Sequence, residues 1–404
     1  MKKKIAALFR IILRMLLFLL FLFVLVILAE YVLCPVYKMK DPQPFRGDKL
    51  YNPYEGTDSL HWKKANFQTQ SRVYEGMTNG RANTNEMIRS IYRNLRYDII
   101  GISDYQQINR FYRDSSFYVP IYEHGYGLKK NHQVCIGSSK VLWTDYPIFQ
   151  TLRFKQHILD LLRRDNAIVA IAHPDMKGAY STDDMKYLSD YDLIEALNHL
   201  SSSIPHWDAA LSAGKPVFIL GDDDNHDVRN PTFSGRMCTY ICSASGTKEE
   251  IYSSLRNGQS YGANIRMYQD ETYPEKFADA LHVPCLTALI LKGDTICCRV
   301  SEKAMSIDFI GENGKLKKRI SDKASADYIF GKEDTYIRTE ITFRDKYQAE
   351  GTKFFLNPVF RYSGDQPVLR PAIPVDLLMT WIYRVLGIAV LFILIIIQLR
   401  FFAR

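Results

Sequence analysis

Acidic residues are missing from both ends of this 404-residue chain. Residues 1–14 hold five Lys/Arg and no Asp or Glu, and residues 377–404 hold three Arg and again no acid. Those cations account for the whole formal net charge of +8, so the middle of the chain is electrically balanced. A balanced middle has no electrostatic footprint for nucleic acid, and no nucleic-acid partner is expected. Cys-x-x-Cys spacing is also absent, so no zinc pattern of that kind is present. Cys135, Cys238, Cys242, Cys285, Cys297 and Cys298 stand in apolar, strand-like contexts, where buried thiols are expected. The odd total of seven permits a disulfide without specifying one.

Where acids are missing, long hydrophobic runs are present. Met15 to Ala29 is an uncharged run of Leu, Phe, Val and Ile. With Ile11–Leu13 before it and Tyr31–Leu33 after it, the run reaches the ~20 residues a spanning helix needs, with Arg14 snorkelling toward headgroups. A cleaved signal peptide competes, but the apolar region is long and no small-x-small site follows cleanly. Tyr31-Val32-Leu33 before Cys34 is too bulky for a lipoprotein site. Val385 to Leu399 is the second uncharged run, flanked by Arg384 and Arg400, with Trp381 and Tyr383 placed as interfacial anchors. Lys2, Lys3, Lys4, Arg10 and Arg14 orient the first span with its N-terminus in the cytoplasm. Two spans return the C-terminus to that side and leave the region from Pro35 to Pro374 outside. The expected organisation is an anchor over 1–34, a Pro-rich linker over 35–60, an α/β domain over 61–265, a β module over 266–370 and a second transmembrane helix over 377–404.

The α/β domain is read from alternating patterns. Asn83 with Glu86 forms a capping-box-like start to a helix whose Ile88, Ile91 and Leu95 share a face. Further helices are expected over Leu152–Arg164, with Phe154, Ile158, Leu161 and Leu162 inward, over Thr182–Leu188, over Trp207–Ala213, and from Thr247 to Gly258. Each is followed or preceded by an apolar β-rich run, which argues a parallel sheet. After Thr287 the chain turns to short alternating strands, with an Asn313-Gly314 hairpin signal and strict alternation over Tyr336–Phe343, as in an antiparallel sandwich-like module.

Chemistry-bearing residues stand where the apolar runs end. Pro216-Val217-Phe218-Ile219-Leu220-Gly221 leads into Asp222-Asp223-Asp224-Asn225-His226-Asp227, four carboxylates and an imidazole in six residues. Such a density of anions inside a fold calls for a cation, since unpaired buried charge is strongly disfavoured; a solvated acidic loop is the alternative. The same grammar recurs: Tyr97–Ser103 leads to Asp104, Phe117–Tyr122 to Glu123, and Ala167–Ala172 to His173. Ligand-type residues at several strand ends are what a β/α barrel presents at its mouth, and Asp, Glu and His together suit a hard or borderline divalent metal.

These residues resemble the PHP (polymerase and histidinol phosphatase) family of metal-dependent phosphoesterases, particularly membrane-anchored members with a C-terminal β domain. The likeness covers about residues 62–265. It is carried by Glu123 after a strand, Ala172-His173-Pro174, Asp223-Asp224-Asn225-His226 as the closing D-x-H, and Ile102-Ser103-Asp104-Tyr105 in place of the usual T-D-H. Trp207–Lys215 is similar to a segment common before the last motif. The resemblance implies a distorted seven-stranded β/α barrel, an α/β fold, with up to three metals at its mouth. By position, Glu75, Asp104, Glu123, His132, His173, Asp224 and His226 stand at ligand positions. Glu123, His132 and His173 would form one shell, while Asp224, His226 and Asp104 would handle water or the leaving group. The family's opening H-x-H reads Gln68-Thr69-Gln70 here, and Tyr105 stands where a histidine is usual. Amide oxygens are poor substitutes for imidazole at zinc, manganese or iron. One ion rather than two or three is therefore expected, or none. The resemblance implies hydrolysis of a small phosphoester at the membrane surface. The rival expectation is an inactive PHP-like barrel that binds an envelope ligand or serves as a scaffold. His132 opens a strand and could serve structure alone, and His173 could simply tie a loop. His124 is expected beside the site or at the surface, and His199 and His206 in a solvated polar loop.

Overall fold

The computed structural model describes residues 2–115 and 118–402; Phe117 and Arg404 lie outside the described residues. The chain opens on helix α1 (Lys2–Leu33), followed by strands β1 (Lys49–Tyr51) and β2 (Trp62–Asn66), helix α2 (Asn85–Asn94), and strands β3 (Ile99–Ile100), β4 (Ile121–His124) and β5 (Gln133–Ser138). Then come α3 (Leu152–Leu162), β6 (Asn166–Ile171), α4 (Thr182–Tyr187), β7 (Leu193–Asn198), α5 (Ile204–Ser212) and β8 (Phe218–Asp222). The last part holds β9 (Met237–Cys242), α6 (Lys248–Arg256), β10 (Ser260–Asn264), α7 (Tyr273–Asp279), β11 (Leu286–Lys292), β12 (Thr295–Gly311), β13 (Lys315–Ile329), β14 (Tyr336–Arg344), β15 (Glu350–Tyr362) and α8 (Leu377–Phe402). The fold is mixed α/β. Ile11–Leu33 and Leu377–Arg400 are long and apolar enough to cross a membrane.

Just beyond α1 and before α8 the two segments are clamped together. Tyr37 bridges Val375, Val36 N–H donates to Thr380 Oγ1 at 2.9 Å, and Arg384 donates to the Leu33 carbonyl at 2.7 Å. That last bond satisfies a helix-terminal acceptor with a cation, as helix ends favour.

Two sheets carry the strands. One has five in the order β4-β5-β6-β7-β8. The other has ten: β11-β12-β14-β15-β10-β9-β2-β3 lie side by side, β1 joins β15 and β13 joins β12. The expectation of a wholly parallel sheet is corrected: β6, β7 and β8 run parallel, but β5 is antiparallel to both β4 and β6. The β4–β5 connection is too short and helix-free to make the crossover a parallel return requires. At their C-terminal ends the two sheets meet through single parallel bridges, Thr69 with Asn225 and Tyr105 with Glu123. Gln70 N–H to Asn225 O at 3.0 Å and Gln106 N–H to Glu123 O at 2.9 Å reinforce those contacts. No continuous ladder closes β2–β8 among the described residues.

The strands expected as a separate module extend the ten-stranded sheet, because β15 pairs with β10 and with β1. β12 and β13 turn over Glu312–Gly314, where Asn313 takes φ +55° and Gly314 φ +71°, as the Asn-Gly signal requires. Residues expected as a linker are packed: Tyr54 is buried, donates its hydroxyl to the Ser260 carbonyl and accepts from Asn357 N–H. α2 is capped by Thr84, whose hydroxyl accepts from Met87 N–H; the Asn83 side chain instead donates to Gln70 O and accepts from Val228 N–H. α3 buries Leu159 rather than Leu161. Glu250 does not close a capping box with Thr247; it accepts from Ser243 and Ser245.

Arg338 of β14 joins the sheet to α5. Its guanidinium donates to both Asp208 oxygens, at 2.7 and 2.8 Å, and contacts Glu340, with Arg338 and Asp208 both buried. Removing one partner of such a pair leaves the other charge uncompensated, at a cost of about 3–5 kcal/mol. Arg338→Ala should therefore lower the melting temperature markedly while the folded fraction keeps the metal content of the wild type. Lost metal in a variant that melts normally would place β14 in the site instead.

Candidate metal centre

Three strand ends bring Glu123, His132 and His173 together. Apolar β4 carries Glu123, the loop over 125–132 returns to set His132 just before β5, and β6 runs out through Ala172 into His173. The flanking Ile121, Val134, Ile168, Val169, Ala170 and Ile171 are fully buried, so hydrophobic burial fixes where these polar side chains emerge. Gly125, at φ +118°, is required by the return loop: a Cβ there would lie 2.8 Å from His132 Cδ2 and 2.9 Å from Asn131 O. All three side chains are buried, and their ligand atoms lie within 4.8 Å of one another. Glu123 Oε1 contacts His132 Nδ1 and sits 3.4 Å from His173 Nε2, while Gln70 Nε2 donates to Glu123 Oε2 at 2.5 Å.

The charges fit this geometry. Burial alone would raise the Glu123 carboxyl, but the His132 and His173 imidazoles hold it well below the ordinary range. Burial pushes His132 down, only partly offset by Glu123. Burial also opposes the charged form of His173, yet its bond to Glu123 and the field of Asp224 raise it. One ionised carboxylate is thus held against two imidazoles.

Several buried polar atoms on the surrounding strand ends have no hydrogen-bond partner: both side-chain atoms of Gln68, Gln70 Oε1, His173 Nδ1 and Asp224 Oδ1. Buried polar atoms are normally paired, so this concentration marks a place built to receive a cation or polar ligand. His173 and Asp224 also take left-handed backbone angles, φ +28° and +47°, in a region that costs non-glycine residues and recurs at functional sites. The donor set can hold a metal ion.

The other expected residues separate into two groups. Asp224 and His226 follow the end of β8: His226 Nε2 is 3.8 Å from Asp224 Oδ1, Asn198 Nδ2 donates to Asp224 Oδ2 at 3.2 Å, and Tyr105 Oη is 3.2 Å from His226 Nε2. Burial beside Glu123 and Asp224 drives the Tyr105 hydroxyl far above its usual range.

Asp104 is engaged by side chains and backbone of neighbouring loops. Its oxygens accept from Ser71 N–H at 2.7 Å, from the Ser71 hydroxyl, and from Asn109 Nδ2 at 2.8 Å, which ties two loops together. Glu75 is exposed in the turn Tyr74–Gly76 and makes no bond to the triad. The acidic run does not need a cation for every carboxylate. Asp222 accepts from Phe67 N–H, and Asp223 accepts from Tyr92 Oη and from the N–H groups of Gly235, Arg236 and Met237. Three backbone amides hold Asp223, a pattern residue type alone does not reveal. Asp222 has one amide, its Oδ2 is buried without a hydrogen-bond partner, and burial lifts its carboxyl well above the usual range. His124 is buried between the Gln133 side chain and the Thr144 carbonyl. His206 is buried on α5 against Tyr180 O, and His199 is half-buried against Asp223 O, so neither is a solvated loop residue.

Glu195 was not foreseen as a site residue. It lies fully buried on β7, where Glu195 Oε2 accepts from His173 N–H at 2.7 Å and Oε1 from Asn198 Nδ2 at 3.0 Å. Burial, then Asp224 and Asp222, lift its carboxyl far above the usual range. An acid within the apolar run Leu193-Ile194-Glu195-Ala196 was the available signal. A groove of about 510 Å³ opens beside His132, the one triad residue in its wall, and is also lined by Tyr105, Tyr126, Trp143 and Lys130.

Fold and site together define a mixed α/β protein with two helices suited to a membrane and a buried His/Glu triad able to hold a metal ion. Comparison of the chain with known protein families, with characterised proteins and with solved structures returns no match.

Proposed function

We propose that this protein is a membrane-anchored, outward-facing phosphoesterase of the PHP type, reduced to one principal metal position. The carrying observation is the buried Glu123–His132–His173 triad at three strand ends, faced by Asp224 and His226. The two single bridges joining the sheets support reading β2–β8 as an open, distorted seven-stranded barrel. One carboxylate and two imidazoles suit the zinc, manganese or iron class. A divalent ion bound there supplies Lewis acidity toward a phosphoryl oxygen and toward water.

The chain's own groups do the rest. Glu123, His132 and His173 hold the ion, and Glu195 fixes the His173 backbone from beneath. Asp224 and His226 orient water or the leaving group. Tyr105 Oη donates toward substrate oxygen, and Lys130 supplies positive charge in the groove for an anionic ester.

Gln68 and Gln70 favour a second reading, a PHP-like binding protein without turnover, since amides replace imidazoles there. Gln68→His with Gln70→His discriminates. The pair should raise bound metal from about one ion to about two and increase phosphatase turnover, because metal pairs clamp attacking and leaving oxygens together. Elemental analysis and release of p-nitrophenol read both. Two tightly held ions and brisk hydrolysis in the wild type would show that the glutamines already work as ligands. No metal in either protein would favour the binding reading.

The basic first segment supports placing both termini in the cytoplasm. A periplasm-type reporter fused after Arg404 should stay silent; activity there would overturn this topology.

A further inference from the structure

The triad is tethered closely to the first membrane helix. His124, next to Glu123, is bonded at Nε2 to the Thr144 carbonyl at 3.0 Å. Four residues on, Ile148 N–H donates to Tyr31 Oη at 3.0 Å, in the last turn of α1. Four residues of chain span at most about 14 Å, which puts the triad on the order of 25 Å or less from the end of that span. The ring of Tyr31 packs on Tyr146, Phe149 and Phe154 at 4.9–5.0 Å, so this loop is anchored to the helix.

This loop and the β4–β5 loop, joined by Leu128 N–H donating to the Pro147 carbonyl at 3.0 Å, are both apolar on their outside. Leu128 is 76% exposed, Trp143 62%, Phe149 52% and Ile148 49%. A folded domain seldom presents so many large apolar side chains to water on two adjoining loops, and Trp and Tyr gather at membrane interfaces. Phe149 also lines a second, almost wholly apolar cavity of about 400 Å³ between α1 and α8, with Arg153 at its edge and its guanidinium 4.9 Å from the Tyr383 ring. Lys129 and Lys130 follow Leu128, and Lys130 turns into the groove with Nζ 5.8 Å from the Tyr105 ring centre. Apolar Leu128, the aromatic side chains of Tyr126 and Trp143, the Lys130 cation and His132 are thus gathered in and beside one groove.

We infer that the site takes its phosphoester from the bilayer: an amphiphile whose phosphate enters the groove beside Lys130 and His132 while its apolar chains stay in the membrane surface. This rests on the phosphoesterase reading and names its substrate class. A water-soluble ester would leave the apolar strip without a role.

The test uses the full-length protein in phosphatidylcholine vesicles with Mn²⁺, reading protection of Lys130 from an amine-reactive label by mass spectrometry. Dioleoyl phosphatidic acid at a few mole per cent should slow Lys130 labelling about tenfold, in keeping with loss of access to a groove-lining amine. Glycerol 3-phosphate in solution and oleate at equal surface charge should not. Leu128→Asp should abolish the protection by phosphatidic acid. Equal protection by glycerol 3-phosphate, equal protection by oleate, or protection by none would each overturn the inference. Hydrolysis is scored separately: protection without phosphate release retains the ligand class and defeats the esterase reading, whereas release from glycerol 3-phosphate without protection does the reverse.

Discussion

Asp223→Ala is expected to leave little folded protein, while Asp224→Ala, one residue on, melts close to the wild type. Asp223 is fully buried and accepts from Tyr92 Oη at 2.8 Å and from the N–H groups of Gly235, Arg236 and Met237 at 2.6–2.8 Å. Truncation strands all of those donors in the interior. At about 1–3 kcal/mol for each, the sum takes most of the roughly 5–15 kcal/mol by which a domain is stable. Asp224 has one weak internal donor, Asn198 at 3.2 Å, and one oxygen with no hydrogen-bond partner, only His226 Nε2 at 3.8 Å. Its loss should spare the fold and impair ligand or metal-dependent chemistry. Thermal unfolding followed by tryptophan fluorescence in detergent separates the two, and equal melting losses would contradict the assignment.

Glu123→Gln is expected to reduce metal affinity by about 100-fold or more, beyond the 10–100-fold typical of groups one step removed from a ligand. The isosteric change keeps the packing between His132 and His173 but removes the ionised carboxylate that touches both. His173 then loses the main interaction that holds its pKa up, and the variant folds without a counter-charge for a divalent ion. His173→Ala should follow in severity. His124→Ala should change metal content little, because that ring is taken up by Gln133 and Thr144. Isothermal titration with Mn²⁺ or Zn²⁺ ranks the three, and a Glu123→Gln protein binding as the wild type does would remove Glu123 from the site.

Much of the site is legible in the sequence because strand ends obey a simple rule: an apolar run ends and a polar side chain emerges. Glu123, His173 and the Phe218–Asp222 strand follow it, and both membrane-length helices are plain in composition alone. What stayed hidden depends on pairing across long sequence separations. Asp223 looks like Asp224 in sequence, yet amides at Gly235, Arg236 and Met237 decide that it is structural. Asp104 reads as a bare strand-end carboxylate in sequence, yet Ser71 and Asn109 engage it. The antiparallel course of β5 and the continuity of β15 with β10 likewise arise from register that no local pattern encodes. Glu195 was overlooked because an acid inside a strand reads as an outward-facing residue, whereas β7 is buried along its whole length.

Metal content of the purified full-length protein, measured after supply with Mn²⁺, Zn²⁺ or Fe²⁺ and removal of loosely held ions, tests the central claim most directly. About one ion per chain in the wild type, falling to near zero in Glu123→Gln with the fold retained, is the result expected of a single carboxylate–bis-imidazole shell. No retained ion in the wild type, or the same content in both proteins, would contradict it.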